Sequence, residues 1–215
     1  MFEAECYLFD LDGTLLATNE DLAAALNFMR RSFDLEPLPL DTVAGLLGHG
    51  IRDLIRQNFL KYSDLTVTEE LVDRAFKINM EYYMAHSADL TKPYSGVVST
   101  LTELKKRGAK LVVVTNKHSN AARKIMELTG LNSFFDFISG DGENIPLKPE
   151  PDLLLNALKK MNCLPENALM IGDNHTDIGS ARRAGVRSVF VTYGYGATGD
   201  EKPDFIINNF DELLG

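Results

Sequence analysis

Four acidic side chains in two short clusters, Asp10-Leu11-Asp12-Gly13-Thr14 and Gly172-Asp173-Asn174-His175-Thr176-Asp177, are the residues of this chain best placed to do chemistry. Each cluster follows a short apolar run, residues 6–9 in one case and 168–171 in the other. Like charges gathered at one place cannot all stay ionised without a neutralising cation. Oxygen-only ligands select a hard ion, Mg²⁺ ahead of Ca²⁺ or Zn²⁺. Mg²⁺ is commonly held by one or two carboxylates together with a substrate phosphate. Two further segments supply donors that suit phosphate oxygens. Thr115-Asn116-Lys117 follows the apolar run 111–114 and offers a hydroxyl and an amide, and Lys148-Pro149-Glu150-Pro151 offers an ammonium. The chemistry implied is phosphoryl transfer, in which positioning and charge neutralisation supply most of the catalysis.

These clusters can cooperate only if the chain brings them to one edge. Runs rich in β-branched and aromatic residues at 6–9, 111–114, 134–138, 168–171, 188–191 and 205–207 are apolar at successive positions, as strands covered on both faces are. Between the later runs, apolar residues recur at helical spacing. Val97, Leu101 and Leu104 stop at Gly108; Ala121, Ile125 and Leu128 stop at Gly130; Leu154, Ala157, Leu158 and Met161 follow Pro151. Such alternation predicts an α/β fold, a Rossmann-like, mostly parallel sheet with helices on both faces. In such a sheet ligands bind beyond the carboxyl ends of the strands.

Residues 16–92 break the alternation. The stretch contains no convincing strand, opens with the capping-box pattern Thr18-Asn19-Glu20-Asp21, and continues with the stripe Leu22, Ala25, Leu26, Met29 and Phe33. Pro37 and Pro39 end that helix, short helical runs follow around 43–47 and 51–59, and a long one covers 68–87. The expectation is a catalytic α/β core over 1–15 and 93–215 with a four-helix cap over 16–92, and a cleft where the two meet.

In this order and context the four clusters resemble the four motifs of the haloacid dehalogenase-like hydrolase superfamily, and the likeness covers the whole chain. The helical insertion after the first motif matches that superfamily's cap. The resemblance implies that Asp10 is the nucleophile that forms an aspartyl-phosphate. It makes Asp12 the general acid–base, whose backbone carbonyl also ligates Mg²⁺. Asp173 would be a direct ligand and Asp177 a ligand or the holder of a coordinated water. Thr115 and the backbone amide of Asn116 would hold phosphoryl oxygens, and Lys148 would offset charge on Asp10 and the transferring group. An acid at position 12 favours phosphate chemistry over carbon–halogen cleavage. Thr115-Asn116-Lys117 and Gly48-His49-Gly50 resemble most the phosphoglycolate phosphatase group, although pyrophosphatases, nucleotidases and sugar phosphate phosphatases share most of these features. A phosphomutase of the same superfamily is the nearest rival. A phospho-aspartate switch on a similar sheet is a third reading, against which the cap argues, since a switch needs no lid to exclude water.

Charge arithmetic turns attention to the cap. Four carboxylates give −4, Mg²⁺ and Lys148 return +3, and a phosphate monoester adds close to −2, leaving about −3. A further cation is therefore expected from Arg52, and more weakly from His49 or Lys117; the glycines beside His49 let that turn approach the core closely. Each of these has a plainer reading, Arg52 as a solvated helix residue paired with Asp53 or Asp41, and Asp173 and Asp177 as acids at a helix N-terminus.

The 215 residues are 45% hydrophobic and 25% charged with a net charge of −9, the composition of an ordinary globule rather than a disordered chain. An acidic whole argues against nucleic acid or an anionic membrane as partner. Two cysteines, Cys6 and Cys163, form no disulfide framework or zinc spacing and suit a reducing compartment. The first residues carry acids where a secretory signal carries bases, so the expectation is a cytoplasmic monomer or homodimer acting on a small phosphorylated molecule.

Overall fold

The structure, a computed structural model, describes residues 2–142 and 144–215, so Met1, where the N-terminal reading begins, lies outside it. Six parallel strands form one sheet in the order β5-β4-β1-β6-β7-β8, with β1 Cys6–Phe9, β4 Lys110–His118, β5 Phe137–Asp141, β6 Ala168–Gly172, β7 Arg187–Val191 and β8 Phe205–Ile207. The strands are apolar at successive positions because both faces are covered. In β1, Tyr7 and Phe9 enter one apolar cluster and Cys6 and Leu8 the other; Leu111 and Val113 against Val112 and Val114 in β4 repeat the division. Helices α5 (Val97–Lys106) and α6 (Ser119–Leu128) cover the first face, and α7 (Asp152–Met161) and α8 (His175–Ala184) the second.

The strand 134–138 expected from sequence is displaced. Residues 132–134 form a single 3₁₀ turn and the strand begins at Phe137, paired with Val112. Phe134 and Phe135 pack on the first core face, Phe135 edge-on to Phe9 with ring centroids 6.0 Å apart. Strand β4 runs on through Thr115-Asn116-Lys117 with a shift in register between Val114 and His118, so the second motif is the end of a strand rather than a loop after it.

The insertion is helical: α1 Asn19–Arg31, α2 Leu40–Ala44, α3 Ile51–Tyr62 and α4 Glu69–His86. These helices share an apolar cluster of their own, centred on Leu26, Met29, Ile55, Phe59 and Val72, distinct from the two clusters of the sheet. A small interface cluster joins Leu22, Ala25 and Tyr83 of the helical lobe to Ala121 of α6. The two chain crossings pair as a short antiparallel ladder, β2 Leu16–Ala17 with β3 Lys92–Pro93, a feature with no counterpart in the sequence expectation. The capping box expected at Thr18 does not form. The Thr18 hydroxyl meets Tyr195 Oη at 2.8 Å, and the Asp21 carboxylate instead accepts from Leu90 N, Thr91 N and the Thr91 hydroxyl, tying the outgoing crossing to α1.

Candidate active site

The sheet order reverses direction at β1, whose neighbours β4 and β6 come from opposite sides of the topology. A crevice opens at the carboxyl end of such a switch point. Asp10 stands there, directly after β1, with its N–H donated to Ile171 O at 2.9 Å. Thr115 projects from the end of β4, and Asp173 follows β6. Asp177 lies in the first turn of α8, where its carboxylate accepts from Asn174 N at 3.0 Å in a capping box. The helix-terminus reading and a site role therefore coexist in Asp177.

Close approach of these carboxylates depends on glycine. A Cβ on Gly13, which has φ of +84°, would lie 2.2 Å from Asp173 Oδ2, and one on Gly172 would lie 2.2 Å from the Asp177 carboxyl. Asp173 is held by Tyr195 N at 3.0 Å and Gly196 N at 2.8 Å on one oxygen and by the Thr14 hydroxyl at 3.3 Å on the other. Burial, and then the charges of Asp10 and Asp177, push its pKa up to about 8. Burial likewise raises Asp177, against the pull of Lys148.

Lys148 is buried among these acids. Its Nζ donates to Asp177 Oδ1 at 2.6 Å and Val114 O at 2.8 Å, and lies 2.9 Å from Asp10 Oδ1. Burial works against the ammonium, but Asp10 and Asp177 outweigh it and raise its pKa. The Asn116 side chain is a clasp. Its Nδ2 donates to Lys148 O at 2.8 Å and Gly48 O at 2.9 Å, and its Oδ1 accepts from Lys148 N at 2.8 Å. Only its backbone N–H is left for the phosphoryl role that the resemblance implies. Thr115 Oγ1 accepts from Lys117 N at 3.1 Å, leaving its hydroxyl proton to donate.

Ligand atoms of Asp10, Asp173 and Asp177 lie within 4.8 Å of one another. Among the described residues no hydrogen-bond donor meets the buried Asp10 Oδ1, since the Lys148 contact has ion-pair but not hydrogen-bond geometry. An all-carboxylate set with an unsatisfied buried oxygen and raised pKa values fits a hard divalent cation. The Asp12 carboxylate stands outside this cluster, which leaves only its backbone carbonyl for the metal role that the resemblance implies. Both of its oxygens instead accept from Lys117 Nζ, at 2.9 and 3.0 Å.

Lys117, weighed only weakly from sequence, is thus the second cation of the site. It is 8% exposed and its ammonium sits 4.5 Å from the ring centroid of Tyr83, on cap helix α4. Burial disfavours its charge, but Asp12 more than restores it and the pKa is raised. The side chains then sum to −4 + 2 = −2, and a divalent cation brings the empty site to neutrality.

Arg52 requires correction as a substrate-facing residue. It pairs with Asp73, lies 5.0 Å from the Phe76 ring centroid, is 49% exposed and forms no part of the cavity wall. His49 also stays off that wall; it packs against His175 with ring centroids 5.1 Å apart, in a neighbouring cleft. Both misplacements follow from α3, which starts at Ile51 and turns Ile51 and Leu54, not Arg52, toward the core. The cavity between the lobes has a volume of about 70 Å³, with Asp10, Asp12 and Thr115 on the core side and Leu22, Ile51 and Met80 on the cap side. Sequence reasoning also missed Tyr83 and the Tyr195-Gly196 amides. The pattern Gly194-Tyr195-Gly196 was a usable signal, since a Cβ on Gly194 would meet Asp173 Cβ at 2.3 Å.

The profile of the haloacid dehalogenase-like hydrolase family matches residues 7–191. The chain is 36% identical over 212 residues to Phosphoglycolate phosphatase 1 of Pseudomonas aeruginosa, covering 96% of this chain and 77% of that one. It is 31% identical over 207 residues to the phosphoglycolate phosphatase of Aquifex aeolicus, covering 96% and 93%. The crystal structure of a predicted phosphoglycolate phosphatase from Haemophilus somnus superposes with a TM-score of 0.91 at 28% identity, over 100% of this chain and 97% of the other.

Proposed function

The chain belongs to the haloacid dehalogenase-like hydrolase family and is a phosphatase-type hydrolase, and from that premise we propose that it hydrolyses a small phosphate monoester of the phosphoglycolate kind through an aspartyl-phosphate on Asp10. The observation that carries the reading is the Asp10 carboxylate at the switch point, with Lys148 Nζ at 2.9 Å and the Asp12 carboxyl beside the same cavity. The names of the relatives support phosphoglycolate as substrate. A cavity of about 70 Å³, far below the ~300 Å³ where drug-sized pockets begin, supports a leaving group of few carbons.

In this reading Asp10 attacks phosphorus as the ester oxygen departs in line, and Asp12, protonated in the complex with the ester, gives that oxygen its proton. Asp12 then takes a proton from the water that attacks the aspartyl-phosphate, and phosphate leaves with Asp10 restored. The Thr115 hydroxyl and the Asn116 backbone N–H hold the equatorial oxygens, and Lys148 balances charge where the phosphoryl group sits. Mg²⁺ held by Asp10, Asp173, the Asp12 carbonyl and the Asp177 region would supply Lewis-acid neutralisation of the phosphoryl oxygens. The helical cap, residues 16–92, excludes water around the ester while the core of 1–15 and 93–215 carries the chemistry. Two buried free cysteines support a cytoplasmic setting for the reaction.

The test is incubation of the Mg²⁺-loaded protein with 2-phosphoglycolate, followed by product analysis and borohydride quenching. Free phosphate and reduction of residue 10 to homoserine are expected. An isomerised ester instead of free phosphate would assign a mutase, and a reduced residue elsewhere would move the nucleophile.

A further inference from the structure

Lys117 and Tyr83 are more than supports for Asp12: we propose that together they form an anion subsite for the leaving group, so that the enzyme selects phosphate esters whose alcohol carries a carboxylate. The inference rests on the phosphatase reading and adds to it the residues that choose the substrate.

Two side-chain ammonium groups face the cavity, Lys148 and Lys117. Lys148 is committed to the core, with hydrogen bonds to Asp177 Oδ1 and Val114 O and an ion pair to Asp10 Oδ1, all within 2.9 Å. Lys117 gives its hydrogen bonds to the two Asp12 oxygens, and an ammonium has three N–H groups. Its remaining N–H makes no hydrogen bond of standard geometry among the described residues, and the Tyr83 side chain lies next to it. Beside it the Tyr83 hydroxyl, in a residue only 2% exposed, has no hydrogen-bond partner of standard geometry among the described residues. A buried hydroxyl without a partner is costly and is normally satisfied by protein, water or ligand.

The rest of the cap wall is apolar, as Leu22, Leu47, Ile51, Leu54 and Met80. A leaving group pointing toward the cap therefore meets one polar station, the Lys117 ammonium and the Tyr83 hydroxyl. Their position next to Asp12 is also where the ester oxygen must lie to be protonated. A carboxylate one carbon from that oxygen would accept from both donors. A methyl group in its place would leave both unsatisfied, and a site with unmet polar groups discriminates strongly against the analogue that lacks them.

The experiment compares kcat/KM for 2-phosphoglycolate and ethyl phosphate, which replaces the carboxylate by methyl, in the Mg²⁺-loaded full chain. Lys117→Met and Tyr83→Phe are measured beside the unaltered protein. Lys117 also orders Asp12, so the readout is the ratio of the two esters and not the rate with either. The unaltered protein should prefer 2-phosphoglycolate, and a charge-assisted bond predicts that Lys117→Met lowers the ratio by about 10- to 150-fold. Tyr83→Phe should lower it by about 2- to 10-fold, the scale of a neutral hydrogen bond. Should Lys117→Met fail to fold, inhibition of the unaltered enzyme decides: glycolate should compete with ethyl phosphate and ethylene glycol should not. Equal losses for both esters, or equal inhibition by glycolate and ethylene glycol, would overturn the subsite while phosphate release continues. Release of phosphate from neither ester would strike the phosphatase reading itself.

Discussion

Replacing Lys148 by Met separates the charge balance of the site from its chemistry. The ammonium is 3% exposed and touches Asp177 Oδ1 at 2.6 Å, Val114 O at 2.8 Å and Asp10 Oδ1 at 2.9 Å. Met fills most of the same volume, so the loss is of charge rather than of packing. Removing one partner of a buried ion pair costs about 3–5 kcal/mol, because the remaining charge is left uncompensated. A chain of this size loses about 2–4 °C of Tm per kcal/mol, so the metal-free variant should melt about 6–20 °C below the parent at pH 8. At pH 5 the gap should narrow. Asp173, with its pKa near 8, is then protonated, and Asp177, also raised by burial, moves the same way. Adding Asp177→Asn to the variant should recover part of the lost stability, since it removes the acid that Lys148 answered. Differential scanning calorimetry of the chelated proteins at both pH values reads all of these. A metal-free Lys148→Met that melts within about 2 °C of the parent at pH 8 would refute the reasoning, since the buried carboxylates would then not depend on the ammonium.

Asp10→Asn should abolish phosphate release and borohydride labelling together while leaving the melting profile folded and cooperative; turnover near the parental rate would remove Asp10 as nucleophile. In the chelated parent, Asp173 has its folded pKa raised from 3.8 to about 8, so the native state binds a proton that the unfolded state does not. The associated stability is full below about pH 4 and is lost as pH rises to about 8. Mg²⁺ should therefore raise Tm more at pH 8 than at pH 5, where it must displace that proton, and equal shifts in a fluorescence melt would contradict this. Arg52→Ala breaks only a half-exposed pair with Asp73, worth about 0–1 kcal/mol, and should change kcat/KM for 2-phosphoglycolate by less than about two-fold. A loss of ten-fold or more would return Arg52 to the substrate.

The strands were legible where burial on both faces writes itself into consecutive residues, as in Leu111 to Val114, which divide between the two apolar clusters. The same signal misled at Phe134 and Phe135, because an apolar turn lying on a core face reads like a strand. The core motifs were legible because parallel strands leave their carboxyl ends at one edge, so a motif's place after its strand fixes its place in the crevice. Thr18 shows the opposite case. A local capping pattern lost to distant partners, with its hydroxyl on Tyr195 and the Asp21 carboxylate on residues 90 and 91. The pairing of β2 with β3, two residues each, is too short for any periodicity to announce.

The missing cation is the most instructive difference. The charge count required one, and the cap was its expected source because the cap faces the variable part of a substrate. Lysine is almost never fully buried unless paired, so position 117 reads locally as a solvated residue. Its partner, Asp12, is 105 residues away in sequence, and only the alignment of β1 with β4 brings the two together. With the cation in the core, the cap has a different task from the one its charges suggested. It leaves Arg52 paired with Asp73 and lines the cavity with Leu22, Leu47, Ile51, Leu54 and Met80. Such a wall lowers the local dielectric around the ester, which strengthens the Lys117–Asp12 and Lys148–Asp10 pairs without contributing charge. Polar substitution on that wall, Met80→Gln for example, should then slow every ester alike, whereas changes at Lys117 and Tyr83 should alter which ester is preferred.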